Sequence, residues 1–318
     1  MLDTPSTTLV TRDNFIRAET DTYFANILSE GELGRFSHKR ELVPVDHQVV
    51  VRSNRDTLYS EMVVDLDAGP VTVTLPDLGG RFVSLLAISE DHFAFRTVYD
   101  PGQYTYTRAE AGTRYLILLV RTFVNPNDPA DVATVHALQD AITSQQVAPG
   151  TFEIPRWDKV SLKRVRDEIS QMEYDTRRAF GTREEVDPTS HLVGTARGWG
   201  GNPSKDAVYT GGNLTANDGV TVYRLTVRDV PVDGFWSVSV YDKDGFFAPN
   251  PQNAYSLNNI TATPDADGGY TIQFGGCDGS VPNCLPITPG WNYAARLYRP
   301  RAEILDGKWA FPEAVAVH

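Results

Sequence analysis

The chain has 318 residues, enough for about two domains of roughly 150 residues each. Hydrophobic residues make up 41% of it and charged residues 22%, as in globular proteins. The 41 acidic and 29 basic residues give a net charge of −12. That charge argues against partners that need a positive surface, namely nucleic acid and anionic membrane. No apolar run approaches the ~18 residues of a membrane span.

An N-terminal helical segment is predicted for residues 1–32. Its helix spans 12–29 and ends before Gly31. The apolar face of that helix consists of Ile16, Tyr23, Phe24, Ile27 and Leu28. The opening residues have neither the basic start nor the apolar core of a secretory signal, so the sequence favours a cytoplasmic protein, with an exported and trimmed form as the alternative.

The rest of the chain divides into two β-rich blocks separated by helices. A first β domain is predicted for 33–126, where the run 71–75 alternates as a strand does. A helical insertion follows over 127–185, and a second β domain is predicted for 186–318, with a strand over 220–227. Each domain is expected to be an antiparallel, jelly-roll-like β-sandwich, because short strands with frequent turns suit that architecture. The predicted fold class is mainly β with α.

The insertion is predicted to contain two helices. The first, over 129–146, starts at Asp128-Pro129, and the second, over 162–180, is capped by Ser161. Lysines and arginines line the outer face of the second helix, but acidic residues are interleaved with them. A solvated face with internal ion pairs is therefore favoured over a nucleic-acid surface.

The two β blocks resemble each other, with matching motifs in the same order. The matched pairs are Asp56-Thr57-Leu58-Tyr59 with Asp206-Ala207-Val208-Tyr209, Asp67-Ala68-Gly69 with Asn217-Asp218-Gly219, Phe82-Val83-Ser84 with Phe235-Trp236-Ser237, Gly102-Gln103-Tyr104-Thr105 with Gly268-Gly269-Tyr270-Thr271, and Gly112-Thr113-Arg114-Tyr115 with Gly290-Trp291-Asn292-Tyr293. We infer two copies of one antiparallel β module.

Long motifs in both blocks also resemble a known pair of domains. The first block, through Asn54-Arg55-Asp56-Thr57-Leu58-Tyr59-Ser60, resembles the domain of unknown function 1254. The second block resembles the domain of unknown function 1214, through Gly198-Trp199-Gly200-Gly201-Asn202-Pro203, Gly234-Phe235-Trp236-Ser237-Val238-Ser239-Val240-Tyr241-Asp242 and Asn283-Cys284-Leu285-Pro286. The resemblance covers nearly the whole chain. It implies two β domains with a helical insertion and no established reaction, and many such relatives resemble exported proteins.

The motif Asn54-Arg55-Asp56-x-x-Tyr59 is the first candidate for chemistry. Arg55 could keep Asp56 ionised as a base, and Tyr59 could donate to a developing oxyanion, with Asn54 and Arg55 contacting a ligand. The alternative is a capped turn, because Asn and Asp often close tight turns. The matching segment around Asp206 lacks the arginine, which favours a structural role.

Two histidines are further candidates for acid–base chemistry. His92 follows the strand predicted over 82–89, and histidine as a residue type titrates near neutrality, as a general base requires. His191 precedes a Gly-rich segment with Trp199 and Asn202, and such segments often line sites. The alternatives are a packed or surface histidine at 92, and a linker whose tryptophan packs at 191–202.

Aromatic and cationic side chains recur on the strands of the second block. Trp236, Tyr241 and Arg296 could grip a sugar or an acidic ligand. On alternating strands, one subset of such residues faces the core and the other faces outward. Core filling is therefore the alternative for these aromatic residues.

The cysteines Cys277 and Cys284 lie seven residues apart in a Gly-rich loop. We expect reduced thiols, because no secretory signal precedes them, with a disulfide as the alternative. The six histidines show no metal-ligand spacing, and there is no Walker loop, Rossmann fingerprint or G-x-S-x-G motif. The sequence predicts no metal site and leaves the cofactor unknown.

Taken together, these features predict an enzyme that acts on a small polar or aromatic molecule by acid–base chemistry. Hydrolysis, elimination and isomerisation all suit the candidate residues Asp56, Tyr59, His92 and His191, in a cleft between the β domains. The alternative is a non-catalytic β-sandwich module that binds a glycan or a peptide. Assembly as a homo-oligomer is a further expectation, since paired sandwiches often associate through exposed faces.

Overall fold

The structure is a computed structural model that describes residues 7–48, 51–212 and 214–317. Residues 1–6 of the predicted N-terminal segment and His318 of the predicted second β domain lie outside the described residues. The chain is mainly β with additional helices, as the sequence predicts. Its strands form several sheets in which nearly all described pairings are antiparallel.

The secondary structure of the described residues alternates short helices with strands. The helices are α1 (Phe15–Ser29), α2 (Arg108–Ala111), α3 (Pro129–Ala141), α4 (Lys159–Ile169), α5 (Pro188–Gly198) and α6 (Ala302–Leu305). The strands are β1 (Ser37–His38), β2 (Thr57–Asp65), β3 (Val71–Leu75), β4 (Val83–Ser89), β5 (Ala94–Val98), β6 (Gly102–Tyr106), β7 (Tyr115–Phe123), β8 (Thr143–Gln145), β9 (Ala207–Thr210), β10 (Tyr223–Val227), β11 (Trp236–Tyr241), β12 (Ser256–Asn258), β13 (Tyr270–Phe274), β14 (Cys284–Leu285), β15 (Asn292–Tyr298) and β16 (Val315–Ala316).

The predicted helices exist, but all three are shorter than their patterns suggested, and α1 begins at Phe15 rather than at residue 12. α3 ends at Ala141, and the chain turns back into β8, which pairs with β3. α4 ends at Ile169, and Asp175 then closes a separate 3-10 turn by accepting the N–H of Arg177. The predicted cap at Ser161 is wrong. Asp158 is the cap, and Ser161 donates its own backbone N–H to the Asp158 carboxylate over 2.8 Å.

Helix α5 is not among the predicted helices, because its segment has the glycines expected of a loop that lines a site or links two domains. Its start has both marks of a helix N-terminus: Pro188 in the first turn and Asp187 as the cap. The Asp187 side chain accepts the N–H of Ser190 over 2.8 Å, and this hydrogen bond lowers the pKa of the carboxyl. Gly194 and Gly198 lie within the helix, and glycines there are more typical of loops.

Replacing Asp187 with alanine is expected to lower the free energy of unfolding by about 1 kcal/mol, because the first turn of α5 loses an acceptor. Urea unfolding at pH 7 measures the change. Serine at the same position keeps an acceptor within reach, so it should restore most of the loss. Equal losses for alanine and serine would contradict the capping role.

The described residues of 7–39, 59–122 and 134–204 form one compact unit. It contains a five-stranded sheet, ordered β1-β2-β7-β4-β5, and a three-stranded sheet, ordered β6-β3-β8. Val73 of β3 and Leu85 of β4 belong to one buried cluster, which draws on both sheets. Phe24 of α1 packs with Leu86 and Ile117 of the five-stranded sheet, while α1, α4 and α5 share a separate apolar cluster.

The described residues of 40–58, 123–133 and 205–317 form a second compact unit. Its two four-stranded sheets are ordered β12-β11-β15-β9 and β14-β13-β10-β16. Leu225 of β10 and Val238 of β11 lie in one buried cluster that again draws on both sheets. The segment 40–58 therefore belongs to this unit, although its last two residues are the first two of β2.

Cys277 and Cys284 form a disulfide, so the expectation of reduced thiols is wrong. The bond closes the loop before β14, where Cys284 pairs with Gln273 of β13. The two cysteines are seven residues apart, and the pairing of β14 with β13 folds the loop between them so that the two sulfurs meet. The sequence alone does not show this pairing. Disulfides are typical of oxidising compartments, so cytoplasmic localisation stays a prediction.

The basic face of α4 is self-paired, as predicted. Lys163 pairs with Asp167 over 2.5 Å and Arg164 with Glu168 over 3.0 Å, each at the i, i+4 spacing of a helix surface. Ion pairs of this kind neutralise the face.

Candidate functional site

A cavity of about 380 Å³ lies within the second unit. Its volume falls in the range of small-molecule sites. The wall is mostly apolar, with a few charged and polar groups. The lining residues are Arg40, Glu41, Leu42, Pro44, Val45, Asp46, Arg55, Leu58, Val124, Pro126, Val132, Pro249, Asn253 and Tyr255. Only Arg55 among them was a predicted site residue.

Arg55 is half-buried in the wall of this cavity. Its guanidinium donates to the carbonyl of Val43 and lies 5.8 Å from the ring centroid of Phe247 and 5.4 Å from that of Tyr255. Burial lowers the pKa of Arg55, but an arginine stays protonated at neutral pH. The cavity therefore contains a partly desolvated cation held in one orientation.

Asp56, the next residue, lies in a buried polar cluster of the same unit. Its Oδ1 accepts hydrogen bonds from Asn258 over 3.0 Å and Ser256 over 3.2 Å, and its backbone N–H donates to the Asn54 side chain over 2.6 Å. Asp56 is 1% exposed. Asn54, the other predicted ligand contact, also donates to the hydroxyl of Tyr298 over 3.2 Å.

Arg296 supplies the positive charge of this cluster. It donates to the hydroxyls of Ser239 (3.0 Å) and Tyr241 (2.6 Å) and to the carbonyls of Arg52 (2.7 Å) and Ser53 (3.3 Å). Burial works to lower the pKa of Arg296, but neighbouring groups, with Tyr241 the strongest and the Asp56 charge among them, hold it above its usual value. The guanidinium thus fastens segment 52–53 to the sheet.

Three side-chain oxygen atoms of the cluster have no hydrogen-bond partner among the described residues. They are Oγ of Ser53, Oδ2 of Asp56 and Oγ of Ser237, all buried. Ser237 pairs with Asn258 on one neighbouring strand and with Arg296 on the other, so it lies in the middle of the polar row. Such atoms are usually satisfied by buried water.

The first unit has an arginine in the position that matches Arg296. Arg121 pairs in register with Ser84, as Arg296 does with Ser237. Arg121 donates to the carbonyl of Gly200 over 2.7 Å and to Oδ1 of Asn202 over 3.0 Å. Its guanidinium also lies 5.5 Å from the ring centroid of Tyr59. Tyr59 and Asn202, both predicted site residues, therefore meet at Arg121.

His92 lies in the first unit with both ring nitrogens engaged. Nε2 accepts the N–H of Gly200 over 2.9 Å. Nδ1 lies 2.8 Å from Oγ1 of Thr195, and because that hydroxyl donates to the carbonyl of His191, we assign the proton to Nδ1. Burial and the His191 ring lower the pKa of His92 well below its ordinary value. The neutral ring of His92 thus links its own loop by hydrogen bonds to Thr195 of α5 and to the backbone at Gly200.

His191 and Trp199 pack around His92. His191 on α5 has Nδ1 3.1 Å from the carbonyl of Ala179 and Nε2 3.1 Å from that of Asp91. Trp199 stacks on Tyr23 and on His92, with centroids 4.2 and 5.4 Å apart. The fold thus brings four predicted site residues into one region of the first unit, namely His92, His191, Trp199 and Asn202. Stacked rings connect the first three, and Arg121 bridges Asn202 to Gly200.

Trp236 and Tyr241 lie on opposite faces of β11. Trp236 belongs to the apolar core and packs edge-on against Tyr270, which agrees with the core-filling alternative. Tyr241 faces the polar cluster and donates to the carbonyl of Ser53 over 2.9 Å. The catalytic and binding roles predicted for these residues, and a site between the β domains, stay predictions.

A buried pair of acids in the first unit, Asp21 and Glu90, is not among the predicted site residues. Asp21 on α1 is fully buried, and its Oδ2 accepts the indole N–H of Trp157 over 2.8 Å. Burial and the neighbouring Glu90 raise the pKa of Asp21 to about 7, despite the indole hydrogen bond and the charge of Arg17. Asp21 lies three residues from both Ala18 and Phe24, so its place on the buried face was visible in the helical spacing.

Within the described residues, His, Cys, Asp and Glu side chains form no group of three that could hold a metal ion. No helix there is long and apolar enough to cross a membrane. The candidate site is the cavity lined by Arg55, and the next residue, Asp56, belongs to the polar cluster that also contains Arg296.

The comparisons with known proteins agree with the motifs. The described fold is similar to the crystal structure of the VPA0106 protein from Vibrio parahaemolyticus, with a TM-score of 0.74 and 19% identity over 96% of this chain and 98% of that one. It is also similar to an uncharacterised protein from Burkholderia cenocepacia, with a TM-score of 0.53 and 12% identity over 96% and 88% of the two chains. At these identities the likeness concerns the fold.

No curated protein matches the chain. Residues 33–102 match the family described as "Protein of unknown function (DUF1254)", and residues 207–302 match the one described as "Protein of unknown function (DUF1214)". The chain therefore belongs to the family of proteins that pair a DUF1254 region with a DUF1214 region.

Proposed function

We propose that the protein binds a small organic molecule with an acidic group in the cavity of the second unit. The observation that carries this proposal is the half-buried Arg55 in the cavity wall, held by the Val43 carbonyl and two aromatic rings. A partly desolvated guanidinium gains more from an anion than an exposed one does, and its planar fork suits a carboxylate.

The rest of the wall favours an apolar body on the same ligand. Leu42, Val45, Leu58, Val124 and Val132 line the cavity with aliphatic carbon. Sites of this size usually combine an apolar lining with a few polar groups that fix orientation. An aromatic or branched aliphatic acid matches both features.

The sequence also predicts acid–base turnover by Asp56, Tyr59, His92 or His191. Both ring nitrogens of each histidine face hydrogen-bonding partners, and Asp56 is buried in its own polar cluster. The geometry supports ligand binding more strongly than turnover. Catalysis and the glycan- or peptide-binding alternative both stay predictions.

We also propose that each unit is a β-sandwich and that the two arose by duplication. The strand order β2-β7-β4-β5 of the first unit matches β9-β15-β11-β12 of the second, and β6-β3 matches β13-β10. In each unit, one apolar cluster draws on both sheets. These facts support two copies of one module.

Binding is tested with 3-phenylpropanoate and its uncharged amide, followed by ligand-observed NMR. The acid should bind and the amide should bind more weakly. Arg55→Gln should weaken binding of the acid by roughly 10- to 100-fold, the range for losing a charged hydrogen bond. Arg228→Gln, at an exposed ion pair with Asp267 in the same unit, is the control and should bind as the wild type does. Equal binding of the acid by both variants would contradict the proposal.

A further inference from the structure

The charges around the cavity are balanced. Arg40 and Arg55 line it together with Glu41 and Asp46, so these four side chains sum to a formal charge of zero. A ligand with only a negative charge is attracted by Arg55 but repelled by the carboxylates of Glu41 and Asp46. These two carboxylates could instead bind a positively charged group, which an acidic group alone does not provide.

The two carboxylates differ from Arg55 in their exposure. Glu41 and Asp46 are exposed, whereas Arg55 is half-buried. Among the described residues, no ion pair or hydrogen bond is found for the Glu41 or Asp46 carboxylate, while Arg40 has a partner of its own. Glu41 and Asp46 are therefore available to a positive group on a bound molecule.

We propose that the ligand is a zwitterion, namely a free amino acid with an apolar side chain. Its carboxylate binds Arg55, its ammonium group faces Glu41 and Asp46, and its side chain packs on Leu42 and Val45. This inference rests on the proposed function and narrows it to one class of ligand. A cation and an anion within one cavity recognise a zwitterion by complementary charge, and they bind a molecule that has only one of the two groups more weakly.

Three probes of one shape test the inference by NMR titration. L-phenylalanine carries both charges, 3-phenylpropanoate only the negative one, and 2-phenylethylamine only the positive one. We expect L-phenylalanine to bind at least tenfold more tightly than either of the others. In the double variant Glu41→Gln and Asp46→Asn, its advantage over 3-phenylpropanoate should disappear, while 3-phenylpropanoate binds as well as before or better.

The control variant is Glu303→Gln with Asp306→Asn, which removes two exposed carboxylates elsewhere in the same unit. It should keep the preference for L-phenylalanine. If 3-phenylpropanoate binds the wild type as tightly as L-phenylalanine, the zwitterion is overturned and the acid-binding function stands. If 2-phenylethylamine binds as tightly as L-phenylalanine, or if no probe binds, the proposed function is overturned as well.

Discussion

Replacing Asp56 with alanine is expected to lower the free energy of unfolding of the second unit by about 3 kcal/mol, because the buried Asn258 and the half-buried Ser256 lose a carboxylate acceptor. The Asp56 carboxylate is 1% exposed, and its charge supports the buried guanidinium of Arg296. Hydrogen exchange of the β11 amides reports the loss within this unit.

Two comparisons make the Asp56 prediction specific. Asp267→Ala breaks an exposed pair with Arg228 and should change stability by less than about 1 kcal/mol. Adding Arg296→Met to Asp56→Ala should cost less than the sum of the single changes, because the two charges depend on each other. Strict additivity, or a loss for Asp56→Ala no greater than that of the control, would show that the charges act independently.

Asp21 is expected to make the protein less stable as the pH rises from 5 to 8. The folded pKa is about 7, against 3.8 as the ordinary value. At pH 5 the unfolded carboxyl has already lost its proton, whereas the folded one keeps it, so folding takes up a proton. This contribution is lost as the pH passes through 7, and the difference amounts to about 2–3 kcal/mol between pH 5 and pH 8.

Asp21→Asn should remove this part of the pH dependence. The amide oxygen can still accept from Trp157, and the amide nitrogen can donate to Glu90. Urea unfolding at pH 5 and pH 8 gives the free energy of unfolding of the wild type and of the variant. Subtracting one from the other at each pH removes the contributions of the other titrating groups. Asp13→Asn, at an exposed position just before α1, should leave the wild-type dependence intact. If the wild type and Asp21→Asn differ in free energy of unfolding by the same amount at pH 5 and pH 8, Asp21 is not the source of the pH dependence.

Much of the fold could be predicted because its patterns are local. The alternation of Val71, Val73 and Leu75 with threonines marks β3 as a strand with one buried face. The repeated motifs anticipate the matching strand orders of the two units. The ends of α4 and the existence of α5 were harder to predict, because they depend on which side chain accepts a free backbone N–H at the helix start. At α4 that side chain is Asp158 and not Ser161.

The candidate site was harder to predict, because its parts come from distant segments. Arg55 was identified by its motif, but Tyr255 and Val132 reach the cavity only through the fold. The disulfide likewise depends on the pairing of β14 with β13, whereas the expectation of reduced thiols rested on the cellular compartment alone. His92 could not be recognised as a connector, because its partners at 195 and 200 lie about a hundred residues away.

A crystal structure of the protein soaked with 3-phenylpropanoate would test the central claim most directly. The account predicts its carboxylate within hydrogen-bond distance of the Arg55 guanidinium and its ring against the aliphatic wall of the cavity. A cavity that stays empty at saturating ligand, or a ligand bound away from Arg55, would contradict it.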